Sequence, residues 1–269
     1  MKLVKMEDAE VPKIGLGTWQ IKGTDCRKAV ENALEMGYRH IDTAQIYGNE
    51  EHVGTGIANS SVDREDIWLT TKIWRTNFHP EAVISSFHES LEKLQTEYVD
   101  LLLIHWPSEE IDFKDTLEAM KQLKDKDKVR HIGVSNFTPE QLEEAQKHAD
   151  ILTNQVEYHP FLAQDELLEK CRKTDTMLTA YSPLARGDVI GNETLQKIGE
   201  KYDKSETQVA LRWLVQQENI CAIPKSSTRE HQKSNIDVFD FDLDENEIKE
   251  INGLARNDRK VDPDFGPWN

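Results

Sequence analysis

Cysteine is scarce in this chain of 269 residues. Cys26, Cys171 and Cys221 are odd in number, far apart and never arranged as CxxC, so neither a disulfide framework nor a zinc knuckle is supported. Positive charge is short as well: 33 Lys and Arg stand against 50 Asp and Glu, a net charge of −17. Such a chain is repelled by phosphate polymers and anionic lipid, which makes nucleic acid and membrane surfaces poor partners. Long apolar runs are missing too. No stretch approaches the ~20 residues of a membrane-spanning helix, and the opening MKLVKMEDAE has no signal-peptide core. The expected setting is therefore a reducing cytoplasm. There is no Pro/Ser-rich linker or low-complexity tract, and hydrophobic residues make up 37% of the chain, enough for a proper core.

Several familiar site motifs are also absent. Gly15-Leu16-Gly17 continues as Thr-Trp-Gln and lacks the third glycine of a dinucleotide fingerprint, while Gly54-Thr55-Gly56 follows a helical pattern rather than a strand. No GxxxxGK[ST] occurs, which removes a P-loop. Ser135 sits in GVSNF, which does not fit the GxSxG nucleophile elbow. The nine histidines never fall in HExxH or HxxEH spacing, so no metal is expected.

What is present is a rhythm. Short apolar or β-branched runs begin at 14, 38, 67, 99, 130, 151, 177 and 220, spanning 206 residues in seven steps of about 29, close to the ~30 residues of a βα unit. Amphipathic, charge-rich segments lie between them. One is expected to start at Thr24 as N-cap, to carry Ala29, Val30, Ala33, Leu34 and Met36 on its apolar stripe, and to stop at Gly37. Others are expected to start at Asn49, Pro80, Thr138 and Asp244. Eight alternating units favour a closed (β/α)8 TIM barrel, an α/β fold. An open doubly wound sheet is the rival, because strand count alone does not show closure. Residues 1–269 read as one domain, with a short N-terminal β-hairpin capping one end of the barrel and an irregular C-terminal tail.

In such barrels the chemistry sits where strands end, and polar residues concentrate there: Thr18, Asp42, Lys72, His105, Ser135, Asn136, Gln155, Tyr181, Ser182, Lys225 and Ser226. Tyr47 follows Asp42 by five residues. An Asp and a Lys ending apolar strands are costly to bury unless paired, and the plainest reading is a structural Asp42–Lys72 ion pair plugging the barrel mouth. Four residue types fitting one proton-transfer device, on successive strands, suggest more. An ammonium beside a tyrosine favours the phenolate and lowers its pKa from ~10 toward working pH. Asp42 holds Lys72 charged, His105 offers a second hydrogen bond to the same oxygen, and Tyr47 becomes a candidate general acid for a carbonyl.

Taken together, GLGTWQ, IDTAQIYGNE, TTKIW, LLLIHWP, IGVSNF, NQVEYHP, AYSPLARG and IPKSS resemble the aldo-keto reductases, collinearly over nearly the whole chain. The resemblance implies an oxidoreductase that binds a nicotinamide dinucleotide without a Rossmann domain and reduces small aldehydes and ketones, from methylglyoxal to keto-sugar acids. It implies Tyr47 as proton donor, tuned by Lys72 and Asp42, with His105 orienting the carbonyl. Ser135, Asn136 and Gln155 would hold the carboxamide, and Tyr181 would stack on the nicotinamide. Ser182 and Leu184 would run beneath the pyrophosphate, and Lys225 and Ser226 would reach the 2′-phosphate. Thr18, Trp19, Ile223, Ser227, Thr228, His231 and Asn235 complete the expected cofactor contacts.

Two departures from the family pattern matter. His231 stands where many NADP-preferring relatives carry Arg, so NADPH is expected as cofactor with NADH still usable. The tail is short, so the pocket is expected to be open. Trp19, Trp74 and Trp106, each following a strand end, are expected to wall the substrate side. Lys225, Arg229 and Lys233 lie close together in the stretch from Lys225 to Asn235. A monomer is expected. The alternative reading, a non-catalytic redox-sensing or nucleotide-binding subunit of the same fold, is opposed by the complete Tyr47, Lys72, Asp42 and His105 set. A metal-dependent sugar isomerase would need a carboxylate and histidine cluster that the sequence lacks.

Overall fold

The computed structural model describes residues 2–108 and 110–268. Two antiparallel strands, β1 (Leu3–Met6) and β2 (Ala9–Pro12), precede eight parallel strands. These are β3 (Leu16–Gly17), β4 (His40–Asp42), β5 (Trp68–Ile73), β6 (Val99–Ile104), β7 (Val129–Ser135), β8 (Ile151–Glu157), β9 (Met177–Tyr181) and β10 (Ile220–Ala222). Each falls on one of the eight apolar runs, and each pairs with its neighbours in chain order. Closure comes from the two ends of the series: Ile14 bridges Ala222 and Gly17 bridges Lys225, both in parallel sense. Gly17 permits that seam, since a Cβ there would stand 2.6 Å from the Ile223 carbonyl oxygen. The sheet is therefore a barrel and not an open doubly wound sheet.

The helices are α1 (Gly23–Glu35), α2 (Glu50–Ala58), α3 (Pro80–Leu94), α4 (Phe113–Lys124), α5 (Pro139–Gln146), α6 (Asp165–Lys173), α7 (Glu193–Tyr202), α8 (Glu206–Gln216), α9 (Arg229–Ile236) and α10 (Glu245–Asn252). Two starts carry the expected side-chain caps. Thr138 accepts from Gln141 N and Asp244 from Glu247 N, each in a reciprocal capping box. Pro80 occupies the first turn of α3, where its missing N–H costs nothing. One start differs from expectation. Thr24 lies inside the first turn of α1, whose N-cap is Lys22 without a side-chain bond. Asn49 stands at the start of α2 as expected, but without a side-chain cap bond: its amide donates to the Thr18 and Ile21 carbonyls while its oxygen accepts from Thr43 Oγ1. It thereby ties the loop after β3 to the loop after β4.

Alternation along the strands decides what meets what. Leu69, Leu102, Ile104, Ile132 and Val134 face outward into the large apolar layer under the helices. Leu101, Leu103, Met177 and Cys221 face inward and meet Val4, Ala9 and Val11 of the hairpin. The hairpin thus closes the end where the strands begin. The same parity carries Asp42, Lys72, His105, Gln155, Glu157 and Tyr181 to the interior at the other end.

Candidate active site

The strand-end residues converge. Lys72 Nζ donates to Asp42 Oδ1 at 2.6 Å and to the Thr43 carbonyl at 2.8 Å. Gln155 Nε2 donates to the other oxygen, Asp42 Oδ2, at 2.8 Å. Lys72 is fully buried and Asp42 nearly so, so the ion pair expected from the sequence is real and each charge is satisfied. Desolvation pulls the Lys72 pKa below its ordinary value, and the Asp42 carboxylate opposes that pull.

Tyr47 sits in a single 3-10 turn, Gln45–Tyr47, directly after β4. The Lys72 ammonium lies 5.1 Å from the centre of its ring, and the His105 ring stands edge-on to it at 5.6 Å. Trp74 packs edge-on against the other side of His105 at 5.3 Å. One expectation is overturned here. Burial, and then the negative charge of Asp42, push the Tyr47 phenol well above its usual value. The Asp42 charge meant to hold Lys72 cationic also acts on the tyrosine, so the phenol keeps its proton. Burial, reinforced by Lys72, pulls His105 well below the usual imidazole value, and its Nδ1 is buried without a hydrogen-bond partner among the described residues.

Beside this centre the amide and hydroxyl groups interlock. Ser135 Oγ donates to the Gln155 carbonyl, Asn136 Nδ2 to Ser135 Oγ and the His105 carbonyl, and Tyr181 OH to Asn136 Oδ1 at 2.8 Å. Thr18 Oγ1 donates to the Asp42 carbonyl. A cavity of about 680 Å³ opens over the cluster and runs on to α9. Asp42, Tyr47, His105, Ser135, Asn136, Gln155 and Tyr181 line it, with Trp19, Trp74 and Trp106 from the expected substrate wall. Ser182, Leu184, Ile223, Lys225, His231 and Asn235 line its other stretch. Lys72, Thr18, Ser226, Ser227 and Thr228 do not line it. Lys72 and Thr18 act behind the wall, and Ser226 Oγ and Thr228 Oγ1 serve the turn into α9, donating to the Thr228 carbonyl and accepting from His231 N.

The basic stretch is smaller than expected. Arg229 grips Glu35 of α1 through both Nη atoms, at 2.7 and 2.9 Å, and also donates to Asn32. Lys225 and His231 are left as the basic groups lining that part of the cavity. Unforeseen lining residues include Ile46, Arg186, Ile190, Thr207, Ser234, Val261, Pro263 and Phe265. Exposed apolar side chains such as Ile46 and Ile190 leave no sequence signal, because loops carry no periodicity. Arg186 has one: it lies in SPLARG, where Ser182, Ala185 and Arg186 all take left-handed φ values of +46°, +48° and +55°. Such residues cost of order 1–3 kcal/mol each and cluster at functional loops. The Arg186 guanidinium lies 4.9 Å over the Trp19 ring, joining the loops after β3 and β9 across the cavity. The tail contributes to the rim: Val261, Pro263 and Phe265 form part of the wall.

The profile of the Aldo/keto reductase family matches residues 13–256. The chain belongs to the aldo/keto reductase family. It is an NAD(P)H-dependent oxidoreductase. A glyoxal reductase of Bacillus subtilis is 43% identical over 253 residues, covering 93% of this chain and 91% of the relative. A 9,11-endoperoxide prostaglandin H2 reductase of Trypanosoma cruzi is 44% identical, covering 94% and 92%. A solved structure provisionally named a 2,5-diketo-D-gluconic acid reductase B superposes with a TM-score of 0.97 at 43% identity, covering 99% of this chain and 96% of that one. An aldo-keto reductase of Bombyx mori in complex with NADP superposes at 0.90 with 34% identity, covering 97% and 94%. In this aldo/keto reductase no helix among the described residues is long and apolar enough to cross a membrane. No group of His, Cys, Asp or Glu among them could hold a metal ion.

Proposed function

We propose that this aldo/keto reductase reduces small aldehydes and ketones to alcohols with NADPH, using Tyr47 as the proton donor. The observation carrying the proposal is the buried Lys72–Asp42 pair, its ammonium 5.1 Å from the centre of the Tyr47 ring, with His105 edge-on to the same ring. The cavity fits a nicotinamide dinucleotide: its amide and hydroxyl cluster lies beside the tyrosine, and its far stretch carries Lys225 and His231. Bound there, the dinucleotide supplies the hydride. Tyr47 gives its proton to the carbonyl oxygen as the carbon accepts that hydride. Its raised pKa keeps the proton in place at neutral pH, and the Lys72 charge offsets the negative charge left behind. His105, kept neutral by its surroundings, holds the same oxygen by a hydrogen bond. Ser135, Asn136 and Gln155 hold the carboxamide, Tyr181 stacks on the ring, and Lys225 meets the 2′-phosphate.

Trp19, Trp74 and Trp106 wall the substrate side, favouring compact or flat carbonyl compounds whose polar groups meet indole N–H donors. The names of the glyoxal and diketogluconic acid reductases point to the same small dicarbonyls. The test is loss of NADPH absorbance with a panel of aldehydes, keto acids, keto-sugars and steroids. Methylglyoxal is expected to turn over with a higher kcat/KM than any steroid. No oxidation of NADPH by any member of the panel would overturn the proposal.

A further inference from the structure

One buried carboxylate at the barrel mouth plays no part in the proton-handling cluster. Glu157, the last residue of β8, is completely buried, and among the described residues no lysine or arginine side chain pairs with it. Its partners are donors of another kind. Oε1 accepts from Lys260 N at 2.6 Å and from His159 Nε2 at 2.9 Å, and Oε2 accepts from Val261 N at 2.8 Å. The His159 Nδ1 accepts from Phe161 N, which assigns the ring hydrogen to Nε2 and aims it at Glu157. Two of the three donors are therefore backbone groups of the C-terminal tail, more than a hundred residues away in sequence.

The tail is tied down on both sides of that point. Arg256 N and Asp258 N both donate to the Phe161 carbonyl, and the Arg256 guanidinium lies 4.0 Å over the Phe161 ring. Lys260 Nζ pairs with Asp188 at 2.5 Å, in the same loop as Ser182 and Leu184, and with Asp258 at 2.7 Å. Beyond Val261 the chain crosses the mouth. Phe265 stands edge-on to Trp106 at 5.4 Å and to Trp74 at 6.2 Å, with the Arg75 guanidinium 4.2 Å over its ring. The tail has no regular secondary structure of its own, so its course rests on these ties, and the buried ones at Glu157 are the hardest to replace with water.

We propose that Glu157 is a positioning residue: it latches residues 256–268 across the barrel mouth so that Phe265 completes the substrate wall. The inference rests on the carbonyl reductase reading for its kinetic consequence, but not for the latch itself. Glu157→Gln replaces one acceptor oxygen by an NH2 group facing a donor, and Val261→Pro deletes one donor from the tail without touching the barrel. Each is expected to raise the KM for methylglyoxal by roughly tenfold, the loss of about one buried hydrogen bond. The fall in kcat is expected to be smaller, and the NADPH dissociation constant to move less than about twofold. Phe265→Ala should raise KM similarly and add little on top of Glu157→Gln, because both remove the same wall. Hydrogen exchange of the 256–268 segment should accelerate in both latch variants. Unchanged exchange in Val261→Pro, or KM effects of Glu157→Gln and Phe265→Ala that simply add, would overturn the latch. A wild-type protein that reduces no carbonyl compound would overturn the reductase reading alone, with exchange still deciding the latch.

Discussion

The two stretches of the cavity are built on different principles. Beside Tyr47 the ion pair is buried and each member doubly held: Lys72 has Asp42 and the Thr43 carbonyl, and Asp42 has Lys72 and Gln155. Toward α9 the groups are exposed and single. Lys225 and His231 stand in solvent, and the Arg229 guanidinium is spent on Glu35. The first arrangement fixes protonation states, since desolvation sets them; the second leaves affinity to side chains that water competes for. Chemistry should thus be intolerant of substitution at one end, and cofactor preference should be adjustable at the other.

The strongest way to break that contrast is at its buried end. Lys72→Met leaves the Asp42 carboxylate buried with only Gln155 for company. Removing one partner of a buried pair costs about 3–5 kcal/mol, so the denaturant midpoint should fall markedly. The kcat should fall by at least ~10²-fold as the charge beside Tyr47 is lost. A variant of wild-type stability would mean that water or a rearranged donor reaches Asp42.

At the exposed end the effects should be smaller. Lys225→Ala is expected to collapse the NADPH/NADH ratio of kcat/KM by roughly 10- to 150-fold, the range of one charge-assisted bond of ~1.5–3 kcal/mol. His231→Arg should raise the same ratio, because a guanidinium clamps phosphate through two bonds and is always charged. An unchanged ratio in both would place the phosphate elsewhere.

The acid–base behaviour sharpens the contrast most gently. His105 is held well below its ordinary value and Tyr47 well above. Above about pH 6.5, the ordinary imidazole value, His105 is neutral and Tyr47 protonated, the forms that reduction needs. The rate of the chemical step should therefore stay flat through neutrality. Lys72 is lowered by burial, with Asp42 opposing, so its charged form is lost on the alkaline side and reduction should weaken there. A steep change in single-turnover reduction between pH 6.5 and about 8 would contradict these directions.

The same contrast explains what could be read from the residues. Strand ends were legible because burying Asp42, Lys72, His105 and Gln155 demands partners, and alternation puts them on one interior face. Closure was not, because it depends on the Gly17 seam with Ile223 and Lys225, which no periodicity reveals. Helix starts were legible to within a residue or two: α2 begins at Asn49 as expected, while α1 begins before Thr24 with Lys22 as its N-cap. Arg229, one of the three basic residues grouped between 225 and 235, is taken by Glu35 of α1, a partner nearly two hundred residues away that no local pattern reveals. The resemblance to aldo-keto reductases named Asp42, Tyr47, Lys72 and His105 together, and the structure brings the four into one cluster; the pKa direction expected for Tyr47 from Lys72 alone is opposite to the one that burial and Asp42 give it. The tail was illegible for a further reason: its course is dictated by backbone N–H groups meeting Glu157, and backbone donors leave no mark in a sequence.

The central claim is that Tyr47 acts as the proton donor while the cofactor is held by other groups. Single-turnover reduction of methylglyoxal by Tyr47→Phe, run beside a fluorescence titration with NADPH, tests both halves at once. The ring is kept and only the hydroxyl is lost, so NADPH affinity should stay within about twofold while the chemical step slows by ~10²–10⁴-fold. A variant that keeps more than about a tenth of the wild-type rate would contradict the account, because general acid assistance of that kind cannot be removed so cheaply.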